Sequence, residues 1–345
     1  MPKPPPDIAQ ALSPMTDTNV PETDVQPLPG GPVLILTGPT ACGKSGLAVA
    51  VAETFEGVII NADSMQVYSD LHILSARPDI AAEARIPHRL YGISPAREAC
   101  SAARWGAMAR QEIAAALEAG KLPILVGGTG LYIRALLSGL VQVPPIPEAV
   151  RNEVRARQET DSPESFHAAL ARRDPIMAAR LHPSDSQRIA RALEVIGATG
   201  TSLASYQDAP SAQPLANPAQ VIAALPPRAP LLRKIETRLD RMVESGALDE
   251  VRALLDQNLD PALPAMKAVG VPQLAAYLQG TVSRSQAIAD AKTATRRYAK
   301  RQRTWLRHQT PRDAWRASFL FAQFSKSSKP LIFNEIREFL LTAQP

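Results

Sequence analysis

The chain reads Gly38-Pro39-Thr40-Ala41-Cys42-Gly43-Lys44-Ser45 at residues 38–45, which fills every fixed position of the pattern G-x-x-x-x-G-K-[ST]. An apolar run, Val33–Leu36, precedes this stretch, and a segment rich in alanine and valine follows it. The order is therefore strand, glycine loop, helix, and with both flanks in place an accidental glycine-rich turn is the weaker interpretation. Backbone N–H groups of such a loop and the positive end of the helix bind phosphate. The sequence predicts that residues 38–45 hold a diphosphate or triphosphate.

Two side chains of this loop add specific chemistry. Lys44 brings a full positive charge to the terminal phosphate oxygens, and the Ser45 hydroxyl suits a magnesium ion that bridges them. Cys42 occupies a position at which the pattern allows any side chain. The predicted ligand set is therefore the loop backbone, Lys44, and Ser45 with Mg²⁺.

Composition narrows the class of protein. The 345 residues are 45% hydrophobic and 21% charged, which is typical of an ordinary globular protein with about two domains. The net charge of +5 and the pI of about 9.3 favour a polyanionic partner. Two cysteines, Cys42 and Cys100, provide neither a disulfide framework nor metal-ligand spacing, so a reducing cytoplasm is expected. No apolar run is long enough to span a membrane, and no signal-peptide core is present.

Changes in amino-acid composition along the chain predict four segments. Residues 1–31 are rich in proline and are expected to form a disordered leader. Residues 32–141 and 216–325 are expected to form an α/β core, a P-loop NTPase-like parallel sheet flanked by helices. Residues 142–215 read as charged amphipathic helices and are expected to form an all-helical insertion. Residues 326–345 are weakly patterned and are expected to be a variable tail.

Two further segments should meet the phosphate loop at one edge of the sheet. Asp63 follows the predicted strand Gly57–Asn61, and the loop Gly127-Gly128-Thr129-Gly130 follows the predicted strand Leu122–Val126. Open α/β sheets bind ligands at the carboxyl ends of their strands. Asp63 is then a magnesium ligand, a general base or a solvated loop acid, and position alone leaves these three alternatives open. His88 has no second ligand at metal spacing and is expected to make a structural hydrogen bond.

A long helix is predicted near the end of the core, at about residues 285–308. Its predicted inward face comprises Ile288, Ala291, Thr295, Tyr298, Gln302 and Trp305. Cations are dense on the flanking face: Arg296, Arg297, Lys300, Arg301, Arg303 and Arg307. This density favours contact with diphosphate oxygens or a nucleic-acid backbone over a plain basic surface. In the predicted insertion, Arg188 and Arg191 lie on the same helix face. Their spacing is equally compatible with contact to RNA and with a solvent-exposed face of ion pairs.

These segments together resemble those of the tRNA dimethylallyltransferases, the bacterial isopentenyl-diphosphate:tRNA transferases. The phosphate loop alone is shared with a great many NTPases, whereas its combination with the other segments is specific to this family. The similarity spans about Val33 to Arg307, in the family's order. The matching segments are Gly38–Ser45, Asn61–Tyr68, Pro87–Gly92, Leu125–Tyr132, Asp185–Val195 and Thr295–Trp305.

The resemblance implies transfer of a dimethylallyl group from its diphosphate to the exocyclic N6 amine of the adenosine on the 3′ side of the tRNA anticodon. The phosphate loop would hold the prenyl diphosphate in place of ATP, with Mg²⁺ as the cofactor. The resemblance further implies that Asp63 is the general base and that Lys44 and Thr129 act at the same site. It assigns tRNA contacts to Asp63, Ser64, Met65, Gln66, Thr129, Arg151, Gln187, Arg188, Ile189, Ala190 and Arg191, and support of the diphosphate to Arg296 and Arg301.

Partners follow from the same resemblance: a tRNA anticodon stem-loop and dimethylallyl diphosphate, with no membrane, no obligate protein partner and a monomeric state. The chain departs from the family at Val269–Gln273, where a lysine-glutamate pair is usual, and no function is assigned there. It also lacks the cysteine/histidine zinc module of the eukaryotic members. Two alternatives stay open: a P-loop kinase of a small metabolite, and a non-catalytic RNA-binding NTPase.

Overall fold

A computed structural model of the chain describes residues 30–209, 214–309, 316–322 and 328–343. Almost all of the predicted leader lies outside these residues. The strands are β1 (Val33–Thr37), β2 (Gly57–Asn61), β3 (His88–Arg89), β4 (Leu122–Gly127), β5 (Ala219–Ala224) and β6 (Arg316–Leu320). The helices are α1 (Lys44–Thr54), α2 (Ile80–Arg85), α3 (Ala102–Glu118), α4 (Gly130–Leu137), α5 (Glu148–Thr160), α6 (Pro163–Arg173), α7 (Pro175–Arg180), α8 (Ser186–Thr199), α9 (Leu203–Asp208), α10 (Arg228–Glu244), α11 (Ala247–Leu255), α12 (Val271–Leu278), α13 (Arg284–Gln309) and α14 (Lys329–Thr342).

The six strands form a single parallel sheet in the order β3-β2-β4-β1-β5-β6. The central strand β1 pairs with β4 on one side and β5 on the other, so that Leu36 lies opposite both Val126 and Ile222. All five residues of β1 are buried, as expected for a parallel strand covered on both faces. The predicted P-loop NTPase-like α/β fold class is therefore confirmed.

Successive residues of β1 point to opposite faces of the sheet and into different cores. Val33 and Ile35 lie in the larger cluster, with side chains of α3, α4, α11, α12 and α13. Leu34 and Leu36 lie in a second cluster, with side chains of α1 and α14. Helices on both faces leave the carboxyl edge of the sheet as the place where loops converge.

Most predicted elements are confirmed. β1, β2 and β4 occupy the three predicted strands, and α13 covers the helix predicted at about residues 285–308. Ser101 caps α3 by accepting a hydrogen bond from the Arg104 N–H, and α10 and α11 are separated at Gly246, where φ is 103°. β6 is not predicted from the sequence because it is a partly buried edge strand whose alternation of apolar residues is weak. Residues 331–341 are predicted as a strand-helix remnant, whereas in the structure they belong to α14, which buries Ile332, Phe333, Ile336 and Phe339 against the core.

The chain divides into two compact units, of which described residues 141–209 form one. The regular elements of this unit are the helices α5 to α9, which surround a core of their own. Phe166 and Leu170 of α6 and Ile189 and Leu193 of α8 are among its buried residues. Within the described part of the chain, no helix combines the length and apolar character that crossing a membrane requires.

Candidate active site

The phosphate loop has the backbone conformation that its sequence predicts. Ala41 and Gly43 adopt positive φ angles of 64° and 94°, which turn the chain into the start of α1. A Cβ atom at Gly38 would lie 2.8 Å from the carbonyl oxygen of Ala224, so the end of β5 packs directly against the loop. Cys42 is buried in a small apolar cluster with Ala224 and has a packing role here.

Lys44 and Ser45 are the first two residues of α1. Lys44 is half-buried and Ser45 is exposed. Neither the Lys44 ammonium nor the Ser45 hydroxyl has a hydrogen-bond partner among the residues that the structure describes, so both can contact a ligand. A cavity of about 300 Å³ opens beside Ser45, and Val49, Ile59 and Tyr91 are among the residues that line it.

The second glycine loop is crowded, which explains why glycine occupies three of its positions. A Cβ atom at Gly127 would lie 2.0 Å from the Ala62 carbonyl oxygen, and one at Gly128 would lie 2.2 Å from the Gln302 side chain. A Cβ atom at Gly130 would lie 2.2 Å from the Trp305 ring. The loop is therefore packed against both β2 and α13, and a side chain larger than hydrogen forces one of them to move.

Gln302 of α13 joins the two glycine loops. Its side-chain oxygen accepts a hydrogen bond from the Thr40 N–H at 2.8 Å, and its side-chain nitrogen donates to the Gly128 carbonyl at 3.0 Å. Gln302 is only 6% exposed. A buried amide that satisfies one backbone donor and one backbone acceptor fixes the separation of the two loops.

Hydrogen bonds among residues 61–65 fix the position of Asp63. The Asn61 side chain accepts a hydrogen bond from the Asp63 N–H and donates to the Asp63 and Leu90 carbonyls, and the Asn61 carbonyl accepts one from the Trp105 indole. The Asp63 Oδ1 atom accepts a hydrogen bond from the Met65 N–H at 3.0 Å. Within the described residues Asp63 Oδ2 has no hydrogen-bond partner, so this oxygen is available to take a proton.

Thr129 lies beside this turn and connects it to α13. The Thr129 hydroxyl accepts a hydrogen bond from the Ser64 N–H at 2.9 Å and lies 3.2 Å from the Ser64 hydroxyl. An interaction with Thr129 also lowers the pKa of the Tyr298 phenol, so these two side chains lie close together. The structure therefore brings Asp63 and Thr129 together, as the sequence predicts for the ends of β2 and β4.

Electrostatic effects on nearby groups show which side chains lie close to the Asp63 carboxylate. Burial raises the pKa values of the Tyr298 and Tyr91 phenols, and the negative charge of Asp63 raises both further. Burial lowers the pKa of the Arg238 guanidinium, while the Asp63 charge opposes that change. Arg238 also donates to the Thr40 hydroxyl at 2.7 Å. Asp63 thus lies within electrostatic range of Arg238 in α10 and Tyr298 in α13, and Arg238 contacts the phosphate loop.

Arg238 is a site residue that the sequence analysis did not identify. It lies in α10 among several other arginines, and its spacing in the sequence does not separate it from them. Only the packing of α10 against the phosphate loop brings its guanidinium to Thr40 and within electrostatic range of Asp63. Its charge is suited to a diphosphate in that loop.

The arginines of α13 differ in the side chains that they contact. Arg301 lies over the Tyr298 ring, with its guanidinium carbon 5.7 Å from the ring centroid, and so lies next to Thr129. Arg296 instead forms an ion pair with Glu236 of α10 at 2.8 Å and donates to Thr293. Of the two arginines expected to support the diphosphate, only Arg296 forms an ion pair among the described residues, whereas Arg301 contacts Tyr298, which neighbours Thr129.

Other predicted site residues have structural contacts. Met65 packs against the large core, and the Gln66 side chain donates to the Ser75 and Ala76 carbonyls. His88 contacts the Ile86 carbonyl at 2.8 Å, which is the structural hydrogen bond expected for it. At Val269–Gln273, Gly270 has a φ of 104° and its N–H donates to the Gln273 side chain, so this segment starts α12.

The predicted tRNA-contacting residues of the helical unit differ in exposure. Ile189 and Ala190 are buried in its core, so their side chains pack within the protein. Arg188 pairs with Asp185 and Arg191 with Glu194, and both arginines are exposed. Arg151 of α5 and Gln187 of α8 are exposed as well. RNA contact stays a prediction for this unit, and it applies to the exposed side chains.

The ligand atoms available at the phosphate loop are compatible with a Mg²⁺ ion that takes most of its ligands from a bound substrate. Ser45 offers one hydroxyl oxygen, and the described residues contain no group of three or more His, Cys, Asp or Glu side chains placed to hold a metal. Mg²⁺ commonly takes one or two protein oxygens and completes its shell with phosphate oxygens and water. A Ser45 hydroxyl next to a bound diphosphate meets that requirement.

Comparison with known proteins extends these observations. The family model described as IPP transferase matches residues 66–309, and one described as isopentenyl transferase matches residues 31–99. A tRNA dimethylallyltransferase from Rhodospirillum rubrum is 50% identical over 90% of this chain and 96% of its own length. One from Rhodospirillum centenum is 53% identical over 81% of this chain and 89% of its own.

Two solved structures share the fold. A tRNA isopentenylpyrophosphate transferase from Bacillus halodurans matches with a TM-score of 0.65 and 31% identity, over 91% of this chain and 98% of its own. A eukaryotic dimethylallyltransferase acting on tRNA matches with a TM-score of 0.75 and 26% identity, over 92% of this chain and 81% of its own.

Proposed function

We propose that this chain, which belongs to the IPP transferase family, transfers a dimethylallyl group from dimethylallyl diphosphate to tRNA. The acceptor is the N6 amine of the adenosine on the 3′ side of the anticodon. One observation carries the mechanism: within the described residues Asp63 has a carboxylate oxygen without a hydrogen bond, and it lies within electrostatic range of Arg238, which contacts the phosphate loop. The relatives are tRNA prenyltransferases, so neither the small-metabolite kinase nor the RNA-binding NTPase is retained.

The donor diphosphate is bound by the backbone N–H groups of residues 38–45 and by the Lys44 ammonium. Arg238 and Arg301 add positive charge from α10 and α13. The Ser45 hydroxyl would hold Mg²⁺ together with the diphosphate, and the ion would supply positive charge to stabilise the leaving group. Because an allylic carbon readily carries positive charge, stabilising the departing diphosphate contributes most to lowering the barrier.

Asp63 prepares the acceptor. The lone pair of an adenine amine is delocalised into the ring, so the amine is a weak nucleophile until one of its protons is accepted. The free Asp63 oxygen takes that proton while the N6–C1 bond forms and the C1–O bond to the diphosphate breaks. Thr129, fixed by Ser64 and Tyr298, positions the amine beside Asp63.

The acceptor base has to leave the stacked anticodon loop to reach Asp63, as in other enzymes that modify a base. Exposed arginines of the helical unit, Arg151, Arg188 and Arg191, are proposed to bind the tRNA backbone. We propose a monomer that acts in the cytoplasm, where its tRNA substrate is found.

The test is nucleoside analysis of tRNA incubated with the protein, Mg²⁺ and labelled dimethylallyl diphosphate. The wild-type protein should produce N6-dimethylallyl adenosine, and EDTA should abolish the product until Mg²⁺ is restored. Asp63→Asn should lower kcat by about 10²- to 10⁴-fold because the base is lost. The tRNA Kd of this variant should stay the same, and the exposed Glu118→Gln variant is the matched control. Normal turnover by Asp63→Asn would refute the assignment of the base.

A further inference from the structure

A group of arginines without acidic partners lies where α10 begins and α13 approaches its end. Arg228 is the first residue of α10 and is exposed. Arg303 of α13 donates a hydrogen bond to the Pro226 carbonyl, which places its guanidinium at the same corner. Arg307 lies one helical turn beyond Arg303 and is exposed. We call Arg228, Arg303 and Arg307 the arginine patch.

The arginine patch concentrates positive charge instead of neutralising it. Burial lowers the pKa of Arg303, and the positive charges of Arg307 and Arg228 lower it further. None of the three forms an ion pair with any described residue, whereas Lys292 and Arg296 of the same helix pair with Asp240 and Glu236. Clustered cations repel one another, so this arrangement favours a bound polyanion.

An exposed aromatic side chain accompanies the cations. Phe321 follows β6 and is 63% exposed. Its ring stacks beside that of Phe319, with 6.3 Å between the centroids. Phe319 packs with Trp305 against Leu225 and Leu306, close to the residues that precede the arginine patch. An exposed ring beside phosphate-binding cations is the combination that single-stranded nucleic acid needs, a stacking surface and a charged track.

The position of the arginine patch connects it with the active site. Residues 225–228 follow β5, and the last residue of that strand, Ala224, packs against Gly38 of the phosphate loop. Phe321 follows the neighbouring strand β6, which runs parallel to β5. The patch and Phe321 therefore lie along the same carboxyl edge of the sheet as the donor site. A nucleic acid bound at that site can continue along this edge.

We propose that the arginine patch and Phe321 form a second RNA-binding surface of the core unit. The arginines bind backbone phosphates of the tRNA substrate beyond the modified adenosine, and Phe321 stacks on one of its unpaired bases. This inference rests on the proposed function for the identity of the RNA. Because the surface holds the substrate without touching the reacting atoms, its loss weakens RNA binding without slowing the chemical step.

The test is binding of an anticodon stem-loop RNA, measured by fluorescence anisotropy in the absence of donor and over a series of salt concentrations. The double variant Arg228→Gln/Arg307→Gln removes two exposed charges that form no hydrogen bond in the described chain, so it should fold normally. It should reduce the slope of log K against log salt by about 1.4, because each phosphate contact of a single strand contributes about 0.7. Arg337→Gln, an exposed arginine of α14, is the control and should not change the slope.

Phe321→Ala separates stacking from charge. It should weaken RNA binding about 5-fold or more with the salt slope unchanged, because base stacking contributes about 1 to 3 kcal/mol and releases no counterions. In steady-state assays the double variant should raise the KM for tRNA and leave kcat and the KM for dimethylallyl diphosphate unchanged.

Three results would overturn the inference. One is a salt slope of the double variant equal to that of Arg337→Gln. Another is a raised KM for dimethylallyl diphosphate with unchanged RNA affinity, which would assign the arginine patch to the donor. The third is that the double variant loses binding to an acidic protein while its affinity for RNA equals that of the wild type. Failure of the proposed function is seen separately, as a wild-type protein that binds the RNA but makes no dimethylallyl product.

Discussion

Gln302→Leu tests whether one buried amide sets the geometry of the active site. Leucine nearly preserves the volume but removes both hydrogen bonds, and leaves the Thr40 N–H and the Gly128 carbonyl without their partner. An unsatisfied buried group costs about 1–3 kcal/mol. The Gly128 contact is buried and the Thr40 contact is only partly so, so Thr40 can recover some of its cost from water. We therefore expect a loss of about 2–4 kcal/mol in the free energy of unfolding.

Urea unfolding measures the stability change, and steady-state kinetics measure its effect on the site. The KM for dimethylallyl diphosphate should rise because the Thr40 backbone is no longer fixed. Gln286→Leu, at an exposed position of the same helix, is the control and should change stability by less than about 0.5 kcal/mol. If Gln302→Leu matched this control in stability and the wild type in KM, Gln302 would not connect the two loops, and our account of the site would be wrong.

Three further predictions follow from single contacts. Gly127→Ala should destabilise the protein strongly and abolish activity, because its Cβ would lie 2.0 Å from the backbone oxygen of Ala62; thermal unfolding and transfer assays check this. Arg238→Gln should raise the KM for dimethylallyl diphosphate and leave the Kd for tRNA unchanged, because its charge lies at the phosphate loop. Glu335→Gln should be more stable than the wild type at neutral pH. Burial raises the pKa of Glu335 above its unfolded value. The protonated Glu335 side chain therefore stabilises the wild type at low pH, and this contribution is lost as the pH rises through the folded-state pKa. Urea unfolding at several pH values measures the growing difference in stability between Glu335→Gln and the wild type.

Matched variants make these outcomes specific. Gly106→Ala in α3 has no atom within 4 Å of the added Cβ and should be neutral or slightly stabilising, in contrast to Gly127→Ala. Arg233→Gln removes an exposed charge of the same helix as Arg238 and should leave the donor KM unchanged. A Glu335→Gln variant whose stability relative to the wild type did not vary with pH would contradict the burial argument.

Much of the fold follows from local sequence because the signals are local. The glycines of residues 38–45 determine backbone angles, the apolar run Val33–Leu36 predicts a buried strand, and Ser101 caps its own helix. Two parallel strands that end at one sheet edge are enough to place Asp63 and Thr129 together. Residues 316–322 and 328–343 were not predictable in this way, because an edge strand and a terminal helix depend on the sheet they cover.

The sequence alone determined a phosphate-binding α/β core, the carboxylate that follows β2 and the basic character of α13, because periodicity and turn chemistry depend on neighbouring residues. Only the tertiary structure decided which of many similar side chains serve the site. Arg238 is in contact with the phosphate loop and Arg296 with Glu236, although both lie in arginine-rich helices. Gln302 joins loops 174 and 262 residues away in the chain. Such contacts are set by how helices pack across the sheet, and the spacing of residues along one helix does not encode them.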